Sequence, residues 1–417
     1  MEASPFLLIN SVLLTFGITA VLVMFLKPIA VRVGLVDAPD ARKDHAGHIP
    51  LVGGLAIFSG FGLSCALLSP QLLLLDYFFA ASAILIVVGV VDDFIELSAR
   101  ARFGAQIAAS LVMVLGGHIM LYDFGALSWD GSLFTLGVFV IPLTVFSTVG
   151  VINAVNMSDG VDGLAGSYAL VALIGLSIVS FIANHDAQGA ALVLLAAGLL
   201  AFLAFNYRVP GRRRATVFLG DSGSTFLGFA LTWFIIASCQ GEDRIMTPVT
   251  ALWFLMLPLF DTVGIMLRRI IKGRSPFAAD REHFHHVLQR AGFSVNESLA
   301  VLLTLALTGM AAGLAGLYYQ VPEMCLFITF LLLFSLYFLG MMHAWKVMRF
   351  LRWSICLRKT AQGRRSSDRI SSFDRWGDTQ AAAVATDGPG GTTAMAYGNS
   401  SDRRSHCDRR VRPTPAH

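Results

Sequence analysis

The residues of this chain that could carry out chemistry are mostly acidic or amide side chains, and they fall in a few short motifs. Asp and Asn oxygens without cysteine suit a hard cation such as Mg²⁺, which takes one or two carboxylates together with phosphate oxygens and water. Gly-rich turns beside them leave room for a phosphate, and GDSGS opens a predicted helix whose N-terminal amides favour anions. The motifs hold, in chain order, Asp92 and Asp93 (VVDDFIE), Asn153, Asn156, Asp159 and Asp162 (NAVNMSDGVDG), Asn206, Asp221 (LGDSGS), and His283, His285 and His286 (HFHH). Together they predict phosphoryl chemistry at a magnesium site.

The elements that must position these motifs are transmembrane helices. Of the 417 residues, 55% are hydrophobic and 14% are charged, and the mean hydropathy is +0.68, which is more apolar surface than a soluble core can bury. A helix needs about 20 apolar residues to cross a hydrocarbon layer of roughly 30 Å. Such runs begin near Phe6, Leu51, Tyr77, Gly104, Leu133, Leu164, Gln188, Ser222, Pro248, Leu299 and Met324. The sequence therefore predicts an all-α polytopic membrane protein, a bundle of about 11 transmembrane helices. Its five cysteines lack CxxC spacing, which excludes a disulfide scaffold and a zinc module.

The basic residues predict the orientation of this bundle. Of the 31 Lys and Arg residues, 30 lie in alternate loops and in the C-terminal tail, and the opposite loops hold only Arg244. Basic residues concentrate on the cytoplasmic side, so the N-terminus is expected in the periplasm and the C-terminus in the cytoplasm. Every motif named above then maps to the cytoplasmic face. A single motif of this kind is usually a turn or a helix cap, but their accumulation on one face favours a common active-site cleft.

The chain divides into three parts by composition. Residues 1–345 form the predicted transmembrane domain, residues 346–358 a basic amphipathic juxtamembrane segment, and residues 359–417 a disordered cytoplasmic tail. Residues 345–417 hold 14 Lys and Arg against 6 Asp and Glu, whereas residues 1–344 hold 17 against 21. The basic excess therefore belongs to the tail. A solvated polybasic segment near the lipid bilayer is favoured there, and no nucleic acid is expected as a partner.

As a set, the motifs resemble those of the polyprenyl-phosphate N-acetylhexosamine-1-phosphate transferases, in the glycosyltransferase 4 family. They are GLVDAPDARKDHAGHIPLVGG (34–54), VDDFIELSARAR (91–102), NAVNMSDGVDGLAG (153–166), VFLGDSGS (217–224) and SPFAADREHFHHVLQRAGF (275–293). The resemblance implies ten or eleven transmembrane helices around a shallow cytoplasmic cleft, in the bacterial inner membrane. It also implies the reaction, in which undecaprenyl phosphate attacks the β-phosphorus of UDP-GlcNAc to give undecaprenyl-diphospho-GlcNAc and UMP, with Mg²⁺ or Mn²⁺ as cofactor. Such a step begins the synthesis of O-antigen, enterobacterial common antigen or a related envelope polysaccharide.

The resemblance also implies a role for each motif residue. Metal ligation is implied for Asn156 and Asp221. Catalytic roles are implied for Asp92, Asp93, Asp159, Asp162 and His285. Substrate binding is implied for Arg102, Asn153, Asn206, His283, His286, Arg42, His45 and Arg281. Asp261, inside the ninth predicted span, is too deep for a solvated charge and is expected to orient the site.

Several alternatives stay open at the level of sequence. Asp92 or Asp93 is a candidate general base or covalent nucleophile, but a phosphate monoester with a second pKa near 6 is already largely deprotonated at neutral pH, which favours a positioning role. The transferred group contains GlcNAc, GalNAc or MurNAc-pentapeptide, each carried over with its phosphate. The REHFHH and RKDHAGHIPLVGG loops look most like the GlcNAc branch. A secondary transporter is the competing class, although its carboxylates would lie near the bilayer midplane. A homo-oligomer is compatible with the sequence.

Overall fold

The part of the chain that the structure describes is almost entirely helical. The computed structural model describes residues 5–37, 48–68, 75–212, 214–275, 283–343 and 348, all within the unit Met1–Ser354. The helices are α1 Pro5–Val33, α2 Gly53–Leu68, α3 Asp76–Ile95, α4 Ala99–Leu115, α5 Val140–Met157, α6 Leu164–Ile182, α7 Asp186–Asn206, α8 Gly220–Cys239, α9 Pro248–Phe254, α10 Met256–Ile271, α11 Phe284–Ala291, α12 Val295–Tyr318 and α13 Glu323–Met342. Two short strands, β1 Val36–Asp37 and β2 Ile49–Pro50, pair antiparallel.

Eight helices of the described residues are long and apolar enough to cross a membrane. They are α1, α3, α5 with the 3-10 turn before it, α6, α7, α8, α12 and α13, and the bent pair α9 and α10 raises the count to nine. The other two helices at predicted spans, α2 and α4, have 16 and 17 residues, and of these two α2 is the apolar one. Each of the predicted spans coincides with one of these helices or with the bent pair. A helical, polytopic membrane protein is therefore confirmed, and the number of helices that cross the bilayer stays a prediction.

The ninth predicted span is wrong as a single straight helix. It breaks at Leu255 into α9 and α10, whose axes differ by 84°. Pro258 explains the break, because proline has no backbone N–H and its ring collides with the carbonyl four residues earlier. That carbonyl belongs to Phe254, the last residue of α9. As a result α10 leaves the direction of α9 and carries Asp261 to the segment that holds His283.

The central helix of the bundle is α8, and 17 of its 20 residues are buried. It packs against α2, α3, α5 and α6. Glycines let these backbones approach closely: a Cβ on Gly89 of α3 would lie 2.3 Å from Ser222 Cα, and one on Gly228 of α8 would lie 2.6 Å from Ile152 Cα. Because α3 and α5 are held so tightly against α8, the polar residues at their C-terminal ends meet the start of α8.

The strand segment before α2 is joined to the turn that precedes α8. The N–H of Phe218 donates to the carbonyl of Pro50 at 2.9 Å, and the N–H groups of Gly53 and Gly54 donate to Phe218 and Leu219 at 3.0 Å. These bonds join two motifs that lie more than a hundred residues apart in the chain. The end of the first loop motif therefore lies beside the GDSGS motif.

Candidate active site

Asp93 caps the N-terminus of α8. Its Oδ1 accepts a hydrogen bond from the N–H of Asp221 at 2.8 Å, and its Oδ2 accepts from the hydroxyl and the N–H of Ser222 at 3.2 and 3.5 Å. Gly220 has φ +76°, and a Cβ there would lie 2.6 Å from Asp93 Oδ2, so this turn requires glycine. The first turn of a helix has unpaired N–H groups and a partial positive charge. The carboxylate of Asp93 accepts hydrogen bonds from these N–H groups and balances this positive charge. It thereby fixes the position of Asp221.

Asp92 points away from Asp93, toward Arg102 of α4. Asp92 is buried, its Oδ1 accepts from the N–H of Leu97 at 2.6 Å, and its Oδ2 lies 3.4 Å from Arg102 Nη1. The same Nη1 lies 3.8 Å from Asp221 Oδ2. The Arg102 side chain is 44% exposed. Its guanidinium group therefore stands between two carboxylates and the open side of the site.

Asn156, at the end of α5, joins this cluster through Asp221. Its Nδ2 donates to Asp221 Oδ1 at 2.6 Å and to Ser224 Oγ at 2.8 Å. With both N–H groups used, the Oδ1 atom of Asn156 is left as an acceptor. Asp92 lies close enough to Asp221 for their carboxyl groups to interact directly, and neighbouring carboxylates repel unless a cation joins them.

This donor set fits a divalent cation that is shared with a phosphate ligand. Among the residues that the structure describes, no group of three or more His, Cys, Asp or Glu side chains is arranged to hold a metal ion. A closed protein site is therefore not present in that part of the chain. Mg²⁺ does not need one, because it commonly takes one or two carboxylates and completes its shell with phosphate oxygens and water. Asp221 and the Oδ1 atom of Asn156 are ligands of the required kind.

The turn between α5 and α6 carries Asp159 and Asp162 in different environments. Oδ2 of Asp162 accepts from Arg208 Nε at 2.6 Å and from the N–H of Ala215 at 3.2 Å, which ties the turn to the loop before α8. Asp159 is exposed. Surrounding protein that displaces water raises the pKa of Asp159, as do the nearby carboxylates of Asp221, Asp93 and Asp162. Because Asp159 keeps contact with solvent, repulsion from the nearby carboxylates explains the raised pKa better than displacement of water does.

Asn206, at the end of α7, lies beside the cluster, but its side chain forms hydrogen bonds with backbone groups. Its Oδ1 accepts from the N–H of Gly163 at 2.6 Å, and its Nδ2 donates to the carbonyl of Val217 at 2.8 Å. The residue is 5% exposed. Both polar atoms of its amide group are thus engaged in holding the Asp162 turn against the segment that leads into α8. This placement favours a positioning role over the substrate contact that the sequence predicted.

The histidine motif is attached to α10 and α13 through Asp261. Asp261 Oδ2 lies 2.8 Å from His283 Nδ1, and its Oδ1 accepts from the N–H of Phe284 at 3.0 Å and from the hydroxyl of Tyr337 at 2.8 Å. A carboxylate at Nδ1 favours the tautomer with a proton there and leaves Nε2 of His283 as an acceptor. Asp261 is therefore well placed to orient His283.

His285 is buried behind His283 rather than directed into an open space. It is 2% exposed, and its ring stacks on that of His283 with centroids 5.5 Å apart. Its Nε2 lies against the Asp159 turn, where a Cβ on Gly160 would be 2.9 Å away. Burial lowers the pKa of His285 to about 3, and the neighbouring His286 contributes. The ring is therefore neutral at physiological pH, and its catalytic role stays a prediction that this burial does not favour.

A large cavity runs from the carboxylate cluster between the helices. Its volume is about 1280 Å³, and Asp92, Arg102, Asn156, Asp221 and His283 line one end. Apolar residues line most of the rest, and the far end is formed by Leu121, Phe124, Leu127, Pro248 and Phe327. The cluster therefore opens into an apolar space that can hold a hydrocarbon chain.

The structure brings five of the residues that the sequence singled out into contact with one another. Asp92, Asp93, Arg102, Asn156 and Asp221 form one connected cluster. Predicted binding residues Arg42, His45 and Arg281 lie outside the described residues, as do residues 359–417.

Sequence reasoning missed three residues with clear contacts to the site. Gln106 bonds to Asn153 and lines the cavity, Arg208 pairs with Asp162, and Tyr337 bonds to Asp261. Gln106 had a usable signal, because it follows Arg102 by four residues and so lies on the same helix face. The other two contacts join distant parts of the chain and have no local signal.

Comparison with known proteins agrees with this arrangement. The model of glycosyl transferase family 4 matches residues 75–239. The undecaprenyl-phosphate alpha-N-acetylglucosaminyl 1-phosphate transferase of Escherichia coli (strain K12) is 36% identical over 341 residues, which are 81% of this chain and 92% of the relative. The proteins of the same name from Salmonella typhimurium and Haemophilus influenzae are 35% identical over 339 residues (81% and 92%) and 36% identical over 343 residues (82% and 96%).

Proposed function

The chain belongs to glycosyl transferase family 4, and on this premise we propose that it transfers N-acetylglucosamine 1-phosphate from UDP-N-acetylglucosamine to undecaprenyl phosphate, releasing UMP. The observation that carries the proposal is the junction of an oxygen-rich cluster with a long apolar cavity. A polyprenyl phosphate has the same division, with a charged head and a hydrocarbon chain. The names of the relatives supply the lipid phosphate and the transferred N-acetylglucosamine 1-phosphate, and the resemblance of the motifs supplies the UDP group of the donor.

The lipid acceptor binds with its chain in the cavity and its phosphate beside Arg102. Apolar residues in the wall, among them Phe146 and Ile270, are 74% and 56% exposed, so the cavity is open at its side and the long chain can continue into the bilayer. Arg102 contributes a positive charge at the end where the phosphate arrives. The same geometry would exclude a short water-soluble phosphate from tight binding, because the apolar wall would stay unfilled.

Asp221 and Asn156 would hold the divalent cation, Mg²⁺ or Mn²⁺, together with the diphosphate of the sugar nucleotide. Such a cation supplies charge neutralisation at the diphosphate. Asp93 positions Asp221 by capping α8, and Asp92 holds Arg102. His283, oriented by Asp261, faces the same end of the cavity and is suited to contact the sugar nucleotide.

The transfer makes one phosphorus–oxygen bond and breaks another. An oxygen of the lipid phosphate attacks the β-phosphorus, and the bond from that phosphorus to the oxygen bridging the α-phosphorus breaks, so UMP leaves with this oxygen. The nucleophile needs no strong base near neutral pH, since its second pKa is roughly 6. Positioning in line and neutralisation of charge by Arg102 then supply most of the acceleration, as in phosphoryl transfer generally.

The distribution of basic residues supports an active site that faces the cytoplasm, where UDP-sugars are made, in the inner membrane. The loops that share a side with the motifs carry 30 of the 31 Lys and Arg residues when the tail is included. We propose that the reaction begins the synthesis of O-antigen, enterobacterial common antigen or a related envelope polysaccharide.

The function is tested with the purified full-length protein in detergent. We expect UMP and a lipid diphosphate sugar to appear in equal amounts when UDP-N-acetylglucosamine, undecaprenyl phosphate and Mg²⁺ are all present. Asp221→Asn should lose most of this activity. Asp130→Asn is a matched control, because Asp130 is an exposed carboxylate whose bonds are local, to Ser132. Absence of UMP release by the unaltered protein under these conditions would refute the proposal.

The sugar specificity is tested by competition. UDP-N-acetylglucosamine, UDP-N-acetylgalactosamine and the UDP-muramoyl-pentapeptide are offered together, and the lipid products are identified by mass spectrometry. We expect the N-acetylglucosamine product to dominate. A predominant muramoyl or N-acetylgalactosamine product would leave the reaction class intact and contradict the assigned substrate.

A further inference from the structure

A pair of side-chain amides lies in the cavity wall, one helical turn beyond the carboxylate cluster. Gln106 follows Arg102 by four residues on α4, and Asn153 precedes Asn156 by three residues on α5. At 1.5 Å per residue this puts the pair roughly 5 to 6 Å farther along the cavity. Both residues line the cavity, and Gln106 is 5% exposed. The apolar stretch of the wall therefore begins with two amides.

The orientation of both amides follows from one backbone carbonyl. Nδ2 of Asn153 lies 2.7 Å from the carbonyl oxygen of Val149 and 2.7 Å from Gln106 Oε1. A carbonyl oxygen only accepts, so the Asn153 atom beside it must be the NH₂ group, and the Gln106 atom beside that group must be the oxygen. The NH₂ group of Gln106 is thus turned away from Asn153. Within the part of the chain that the structure describes, it has no hydrogen-bond acceptor.

The unused donor indicates the chemistry of the ligand. The NH₂ group of Gln106 is not sealed off from the cavity that the residue lines, so an occupant that carries an acceptor at this level gains a hydrogen bond. A hydrocarbon chain has no acceptor along its length. The head of a lipid phosphate does, since its phosphate and ester oxygens accept hydrogen bonds. When the phosphate contacts Arg102, the ester end of the head lies toward Gln106.

We propose that Gln106, oriented by Asn153, donates a hydrogen bond to the phosphate-ester end of the lipid acceptor and sets the depth at which the acceptor phosphate binds. The inference rests on the proposed function, because it requires a lipid phosphate in the cavity. A neutral donor holds an oxygen of the nucleophile without the charge of a second arginine, which would reduce its reactivity. Gln106 is therefore a specificity residue for the lipid and not for the sugar nucleotide.

The experiment compares the KM values of the two substrates in variants of Gln106. Gln106→Met keeps the length of the side chain and removes the donor. Loss of one hydrogen bond to a charged group should raise the KM for undecaprenyl phosphate about tenfold, while the KM for UDP-N-acetylglucosamine stays within about twofold. Gln106→Glu keeps the acceptor for Asn153 and puts a carboxylate beside the phosphate, so it should raise the lipid KM further. Ser110→Ala is the control, since Ser110 lies one turn along α4 and bonds the carbonyl of Gln106.

The outcomes separate this inference from the function on which it rests. An inactive unaltered protein would refute the proposed function itself. With an active unaltered protein, an unchanged lipid KM in both Gln106 variants would overturn the inference alone. Equal rises in both KM values, or a lower kcat at unchanged lipid KM, would assign the pair to helix packing or to the carboxylate cluster and would overturn it too. If Gln106→Met fails to fold, Gln106→Glu decides, because it preserves the bond that joins α4 to α5.

Discussion

Replacing Asp93 by asparagine tests whether this residue acts on the substrate or on the helix that carries Asp221. Both Asp93 oxygens accept hydrogen bonds from the first turn of α8, at 2.8 Å from Asp221 and at 3.2 and 3.5 Å from Ser222. Among the described residues that line the cavity, Asp92 is present and Asp93 is not. These contacts favour a positioning role for Asp93 over direct proton transfer.

The size of the effect follows from what asparagine cannot replace. Its oxygen can still accept from Asp221, but its NH₂ group faces the N–H of Ser222, which then lacks an acceptor. A buried unpaired N–H costs about 1 to 3 kcal/mol, and loss of the negative charge at the helix N-terminus costs about 0.3 to 1 kcal/mol more. A local cost of about 1 to 4 kcal/mol frays the start of α8, and displacement of a reacting group by about 1 Å reduces rates about 10²-fold.

The assay is UMP release at saturating substrate, measured from pH 6 to 9 and across a range of Mg²⁺ concentrations. We expect Asp93→Asn to lose about 10²-fold in kcat at every pH, because no proton acceptor has been removed. The Mg²⁺ concentration at half-maximal rate should rise, since Asp221 is displaced, and the thermal midpoint should fall. Ser222→Ala removes one donor to Asp93 and leaves both N–H bonds, so its loss should stay below about tenfold.

Two results would refute this reasoning. A recovery of the Asp93→Asn rate by tenfold or more between pH 6 and 9 would identify Asp93 as a base, because the lipid phosphate loses its last proton with a pKa of roughly 6. A large loss of rate with unchanged metal requirement and unchanged thermal midpoint would show that Asp93 does not act through α8.

Four further predictions follow from the site and the sequence. Asp221→Asn should abolish the response to Mg²⁺ while the thermal midpoint of the protein is retained, and EDTA should stop turnover until Mg²⁺ or Mn²⁺ is restored; turnover without metal would contradict this. Asp261→Asn should raise the KM for UDP-N-acetylglucosamine by releasing the histidine segment, and an unchanged KM would show that this anchor is dispensable. The pKa of His285 is lowered to about 3 in the folded state, against about 6.5 unfolded, so the unfolded chain binds more protons between these values and stability falls as pH drops below 6.5. The loss is about 2 kcal/mol at pH 5, and the fall in thermal midpoint from pH 7.5 to 5 should be smaller in His285→Gln; an equal fall would contradict it. Truncation after Arg358 should keep turnover within about threefold, because the residues removed have the composition of a disordered tail, and loss of most activity would reject that expectation.

Hydropathy predicted where the helices lie because a membrane requires long apolar runs, and those runs are visible in any sequence. Most helices begin within a few residues of the predicted starts. Helix α4 begins earlier than predicted, because polar residues extend it at its N-terminus. Helix α5 begins later than predicted, because an irregular segment precedes it. The bend between α9 and α10 was missed although Pro258 marks it. A proline inside a membrane helix is tolerated in many cases, so its presence alone does not distinguish a kink from an 84° break.

The sequence predicted which residues form the site better than it predicted the role of each residue. Asp92 and Asp93 are adjacent in the sequence and were assigned together. Successive residues on a helix point about 100° apart, so one faces Arg102 and the cavity while the other faces α8. The use of Asn206 could not be inferred in the same way. Its partners, Gly163 and Val217, belong to segments that come together only in the folded bundle.

Two arginines near the site illustrate what geometry adds to a sequence motif. Arg208 Nε lies 2.6 Å from Asp162 Oδ2, and the side chain of Arg208 is 35% exposed; this short pair holds two loops together. Arg102 lies 3.4 Å from Asp92 and 3.8 Å from Asp221, with 44% of its side chain exposed. Long, partly hydrated ion pairs contribute little to stability, so we expect an incoming phosphate to compete more easily for Arg102 than for Arg208. Both residues carry the same charge, and the difference in their ion-pair distances favours substrate binding for Arg102 and a scaffold role for Arg208.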